Sequence, residues 1–118
     1  MLTDLFGESA FVKVLDFLLE EWDLDFSKAD VSRETGVSWK TLHELWPRIL
    51  KMQLIVPSRT INRANLYKIN GNSALIKALR TVDLEVSTVV NSELATQEGK
   101  MKLQLQRKAV ARPSGLGF

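Results

Sequence analysis

With 118 residues, 45% of them apolar and 25% charged, the chain has the composition of one globular domain, not of a disordered or fibrous polymer. It holds no cysteine, which excludes disulfide frameworks, thiolate metal sites and thiol nucleophiles together. No run nears the roughly 18 apolar residues of a membrane span, and an N-terminus bearing Asp4 and Glu8 is unlike a secretory signal, so a cytoplasmic protein is expected.

Phe11, Val14, Leu15, Leu18, Leu19 and Trp22 form one helical stripe, predicting a first helix over about 8–21. Glu8 would stand in its first turn, where the helix dipole favours an anion. Leu24 and Phe26 then alternate with acids, which allows a very short strand. Ser27 and Asp30 make a capping arrangement that starts a second helix at Lys28. Gly36 ends that helix after Thr35, and Ser38 is an N-cap for a third helix from Trp39. Its buried stripe is Leu42, Leu45, Trp46, Ile49 and Met52. Pro47 removes one backbone hydrogen bond at a cost of about 3 kcal/mol in a regular helix, so a kink or a break is expected near residues 43–46.

Leu54-Ile55-Val56 and Leu66-Tyr67-Lys68-Ile69 predict a β-hairpin with Asn62 and Arg63 in its polar tip, closed by the turn Asn70-Gly71-Asn72. A fourth helix, capped by Asn72 or Ser73, carries the seam Leu75, Leu79, Val82, Val86 and Val89 at heptad-like steps. Beyond Thr96, Met101, Leu103 and Leu105 alternate with polar residues as in a strand, and Arg112-Pro113-Ser114-Gly115 reads as a loose tail. The expected organisation is an α+β, mainly α fold. Residues 1–72 form a three-helix core with a hairpin wing, 73–95 a C-terminal dimerisation helix, and 96–118 a basic tail that is disordered or a short strand.

Two helices joined by a glycine turn define a helix-turn-helix. Ser32 is the small residue in the first helix, with Gly36 four positions on, Val37 plugging the turn, and Leu42 and Leu45 anchoring the second helix. Charge follows the same division. Residues 1–37 hold nine acids and three bases, whereas 38–70 hold six bases and one acid, a net of +5. Such a block is the footprint of a polyanion-binding face, although scatter over a solvated surface would give the same count.

The side chains turned away from the buried stripe are Lys40, Thr41, His43, Glu44 and Arg48. A helix fits the major groove and reads base edges with its first turns. Lys40 and His43 can donate to guanine, Thr41 can touch a phosphate or a thymine methyl, and the Ser38 hydroxyl can bind phosphate. Trp39 is expected beside Trp46 in the core, the alternative being a place against the sugar-phosphate backbone. Arg59 and Arg63 flank the wing tip, where a narrow minor groove concentrates negative potential, and Lys68 on the returning strand joins the DNA-facing set. Lys100, Lys102, Arg107, Lys108 and Arg112 would add a non-specific arm, or merely a solubilising tail.

On these stretches the sequence resembles winged-helix transcriptional regulators of the archaeal type. The stretches are Leu5-Phe6-Gly7-Glu8, Phe26-Ser27-Lys28, Gly36-Val37-Ser38-Trp39-Lys40-Thr41-Leu42 and Leu66-Tyr67-Lys68-Ile69-Asn70. The resemblance implies a DNA-reading third helix, a wing, and often a dimer through the last helix. Two departures stand out: Ser32 where alanine is common, and Glu44 on the reading face. Glu44 would repel phosphate, so it reads a cytosine amino group or pairs with a basic neighbour.

The expected partner is double-stranded DNA, bound by a homodimer. Val82, Val86 and Val89 would form its seam, and Leu75, Ile76 and Leu79 the contacts within one chain. No cofactor, metal, effector or catalytic residue is expected, since the one histidine, His43, has no companion ligand and no serine lies in a nucleophile elbow. Gly115 and Gly117 make no phosphate loop. Two rival readings remain: a winged-helix protein-interaction module using Trp39 and Trp46 as anchors, and a non-specific architectural DNA binder.

Overall fold

The computed structural model describes the backbone of residues 1–107 and the side chains of residues 1–92. By compactness the chain divides into Met1–Val86 and the residues from Ser87 onward. The elements are α1 (Leu2–Phe6), α2 (Ala10–Glu20), α3 (Lys28–Thr35), α4 (Trp39–Lys51), β1 (Ile55–Ile61), β2 (Ala64–Ile69) and α5 (Ala74–Arg107).

Capping chemistry sets most of these boundaries. Ser27 accepts from the Asp30 N–H at 3.1 Å while the Asp30 carboxylate accepts from the Ser27 N–H at 2.9 Å, the reciprocal pair expected at the start of α3. Gly36 closes α3 at φ 76°, a left-handed conformation that a side chain disfavours. Ser38 caps α4 by accepting from the Thr41 N–H at 3.2 Å. Ser73, not Asn72, caps α5 through the Ile76 N–H. Ser9 caps α2, which puts Glu8 outside the helix and not in its first turn as expected. The cause is local: Ser9 has the extended backbone that a cap needs.

α4 runs unbroken through Pro47, so the expected helix break does not occur. Leu42, Trp46 and Ile49 flank the proline and are all buried. Each large apolar side chain buried stabilises by about 1.5–3 kcal/mol, so together they outweigh the proline's cost. Met52, expected in the stripe, is instead exposed just past the helix end. Trp22 lies in the turn after α2, with the Arg80 guanidinium 4.1 Å from its ring centre.

One core unites Val14, Phe17 and Leu18 of α2, Val31 of α3, Val37 of the turn, Leu42, Trp46 and Ile49 of α4, and Leu54, Ile55, Ile69 and Ile76. The hairpin is antiparallel, and Asn62 and Arg63 at its tip both have positive φ, 49° and 69°. That is the two-residue turn whose twist matches flanking strands. The very short strand near Phe26 exists as a single bridge: Phe26 and Tyr67 exchange both backbone hydrogen bonds at 2.8 Å.

Two further elements differ from expectation. α1 was not legible as a helix; its first backbone N–H groups, of Leu2 and Thr3, are held by the buried carboxylate of Asp16 on α2 at 2.7 and 3.1 Å. In α5, helix continues to Arg107, in place of the strand expected around Met101, Leu103 and Leu105. The expected loose tail from Arg112 lies outside the described residues. Within α5, Ile76 is buried, and Leu79 and Val82 pack against the core. Leu75, expected inside, is 40% exposed.

Candidate nucleic-acid interface

The helix-turn-helix is held by bonds that explain its sequence. Ser32, the departure from alanine, donates its hydroxyl to the Val37 carbonyl at 2.7 Å and so ties α3 to the turn. Thr35 accepts from the Val37 N–H and donates to the Val31 carbonyl. With Val31, Val37 and Leu42 buried, α4 has one fixed orientation and exposes Lys40, His43, Glu44 and Arg48, as expected; Thr41 is half-buried.

The exposed groups are not equally available. Ser38 is engaged with Thr41 twice, by its cap bond and by a hydroxyl–hydroxyl bond of 3.0 Å. The Arg48 guanidinium lies over the Phe11 ring at 4.3 Å, directed to α2. Trp39 does not join Trp46 in the core: it is 54% exposed, while Trp46 is buried edge-on against Tyr67 at 5.2 Å. Trp46 takes the core position, and Trp39, the first residue of α4, stands beyond the core's edge. There it lines a shallow slot with Lys28 and Ala29 of α3 and Asn65 and Tyr67 of β2. The slot brings the starts of both helices and the wing to one surface.

Lys28, which sequence reasoning passed over, belongs to this surface. Its ammonium is 3.4 Å from His43 Nδ1 and 5.3 Å from the Trp46 ring centre. An ammonium only donates, so this contact makes Nδ1 the acceptor and leaves the proton on Nε2. His43 itself is exposed.

The wing carries Arg63 at its exposed tip and Lys68 on β2, also exposed. Arg59 is placed differently. Its Nε donates to Asp25 Oδ2 at 2.8 Å, and the Ser58 hydroxyl donates to the same oxygen at 3.0 Å. The Arg59 contact, then that of Ser58, holds the Asp25 carboxyl below its ordinary range. Both were missed because their partner lies 34 positions away from Arg59.

Acidic groups gather elsewhere, in a second cavity between α1, α2 and α3 lined by Glu8, Asp16, Glu20, Glu21 and Glu34. Burial, and then the charges of Asp16, Asp83 and Glu21, push the Glu20 carboxyl up. Among the described residues, no group of three or more potential metal ligands exists, and no helix is long and apolar enough to cross a membrane.

The fold is a winged helix-turn-helix, a helical core with a β-hairpin wing. The chain is similar to MepR, a transcription regulator of the Staphylococcus aureus multidrug efflux pump MepA, with 16% identity over 90% of this chain and 80% of that one, at TM-score 0.58. A cysteine-to-serine variant of Lactococcus lactis ZitR in complex with DNA matches at 14% identity, 81% and 67% coverage, and TM-score 0.56. A double variant of ZitR matches at 15% identity and TM-score 0.55 over 73% of this chain, which spans only 60% of that ZitR chain. No family model and no curated protein matches the sequence. The likeness reaches the winged-helix fold and stops short of the archaeal type that the sequence suggested.

Proposed function

We propose that this protein binds double-stranded DNA, with α4 in the major groove and the hairpin wing on the minor groove or the phosphates, and that it acts as a transcriptional regulator. The observation that carries this reading is the common surface formed by Lys28, the start of α4 and the wing, the last two within a segment of net charge +5 over residues 38–70. Lys40, Thr41, His43 and Glu44 are the base readers. Trp39 lies along the sugar-phosphate backbone, and Arg63, Lys68 and Arg59 contact the backbone or minor groove. That a ZitR variant with this fold is solved in complex with DNA supports the same assignment.

Salt tests it. Four phosphate contacts per protomer in a dimer give a log–log slope of affinity on salt of about −7. A slope near zero, or no duplex binding at about 50 mM salt, defeats the proposal and favours a protein-interaction module.

Dimerisation rests on α5. Val82 packs on its own core, so the proposed seam is reduced to Val86 and Val89, the latter 65% exposed. Two reading helices need a fixed spacing of about 34 Å or a multiple to meet two half-sites. Val86→Glu with Val89→Glu should give a folded monomer in sedimentation that binds DNA far more weakly. A wild type already monomeric at micromolar concentration removes the dimer.

A further inference from the structure

β1 and β2 pair regularly at Ile55↔Ile69, Val56↔Lys68 and Pro57↔Tyr67, and again at Thr60↔Asn65 and Ile61↔Ala64. Between those two runs, β1 has two residues, Ser58 and Arg59, where β2 has one, Leu66. This is a β-bulge, the device that re-aims side chains in a strand. Neighbours on a regular strand point to opposite faces. Here Ser58 and Arg59 instead both reach Asp25 Oδ2, at 3.0 and 2.8 Å. The next residue, Phe26, is fastened by backbone to Tyr67 of β2. The segment 25–26 therefore grips both strands of the wing.

We propose that Asp25 is a positioning residue for DNA binding, which holds the Arg59 guanidinium by its Nε edge so that the Nη donors face an anionic groove. This rests on the reading of the hairpin as a DNA-contacting wing. A carboxylate that sequestered arginine would take the bidentate fork. Asp25 instead takes Nε through a single oxygen shared with Ser58, and the Arg59 side chain stays 63% exposed. The same contacts hold the Asp25 carboxyl below its ordinary range, which favours its charged form. Holding the side chain beforehand removes the ordering cost that a free arginine meets on binding.

The test turns on sign. Asp25→Asn deletes a negative charge near DNA, so electrostatics alone predicts tighter binding. Positioning predicts the reverse: about two- to tenfold weaker binding per protomer, measured on a duplex selected from a random pool by the wild-type protein. Arg59→Ala should weaken binding at least as much, and Asp25→Asn added to Arg59→Ala should weaken it no further. Tighter binding by Asp25→Asn, or independent losses in the double variant, overturns the proposal. A second measurement needs no DNA. The Arg59 Nε–H should exchange slowly with solvent in the wild type and rapidly in Asp25→Asn, with the backbone spectrum otherwise retained; equal exchange in both overturns it. A wild type that binds no duplex defeats the proposed function, while the exchange measurement still decides whether Asp25 holds Arg59.

Discussion

Removing the Asp16 carboxylate should release α1 from the body of the domain. Leu2 and Thr3 donate their backbone N–H groups to it at 2.7 and 3.1 Å, and Asp16 is only 5% exposed. Hydrogen bonds to a charged group contribute about 1.5–3 kcal/mol each, so stranding both donors in place would cost up to about 6 kcal/mol. A cheaper route exists. α1 has five residues and one buried side chain, Leu2, and a helix that short does not hold its shape alone. Undocking it returns both N–H groups to water and sacrifices the Leu2 burial, about 1.5–3 kcal/mol. The lower cost prevails, so Asp16→Ala should destabilise by about 1.5–3 kcal/mol in urea unfolding. The Leu2 and Thr3 amides should lose their exchange protection at the same time. Leu2→Ala should then add almost nothing in the Asp16→Ala background, because α1 is already free. Full additivity of the two substitutions, or protected Leu2 and Thr3 amides in Asp16→Ala, would refute the reasoning.

Asp30 is held ionised below its ordinary range, first by the Ser27 backbone N–H and then by Arg33. A lowered folded pKa contributes stability that is full above the unfolded value of about 3.9 and lost as pH falls through the folded one. Asp30→Asn should therefore flatten the acid limb of stability below about pH 4, as read by unfolding midpoints; an unchanged limb would remove Asp30 from the acid response. In DNA selection, Lys40→Ala or Glu44→Ala should alter preference at one base pair by about 1–3 kcal/mol where the contact is bidentate. A uniform loss on all sequences would make them backbone contacts.

Local chemistry was legible at most places where one residue type satisfies one backbone demand, the Ser9 cap of α2 being an exception. Ser27 with Asp30, Gly36 and Ser38 mark helix ends because a cap needs a short acceptor and a left-handed position favours glycine. α1 escaped because five residues are too few to show a period and its support comes from Asp16, 14 positions from Leu2. Asp16 itself interrupts an apolar run, and nothing local in that run reveals its two backbone donors. The tryptophans failed differently. Trp39 and Trp46 are seven residues apart, on nearly the same helical face, so periodicity predicts one environment for both. The core ends between them: Trp46 meets Tyr67, whereas Trp39 opens α4 beyond the packed layer.

The site shows a similar division between what a segment contains and what it offers. Counting charges gives +5 for residues 38–70, and that count singles out the segment proposed to meet DNA. It treats every cation as equivalent, which the geometry does not. Arg48 spreads over Phe11, and Arg59 shares Asp25 with Ser58. Lys28 comes from the acidic third of the sequence, yet it stands beside His43 on the proposed reading surface. The acidic N-terminal segment is thus more than a repulsive counterpart to a basic interface. Through Asp25 it holds an arginine of the wing, and through Lys28 it contacts His43, one of the proposed base readers. Holding Arg59 and His43 in defined orientations lowers the ordering cost that either side chain would meet on binding, whether it reaches a base edge or a phosphate.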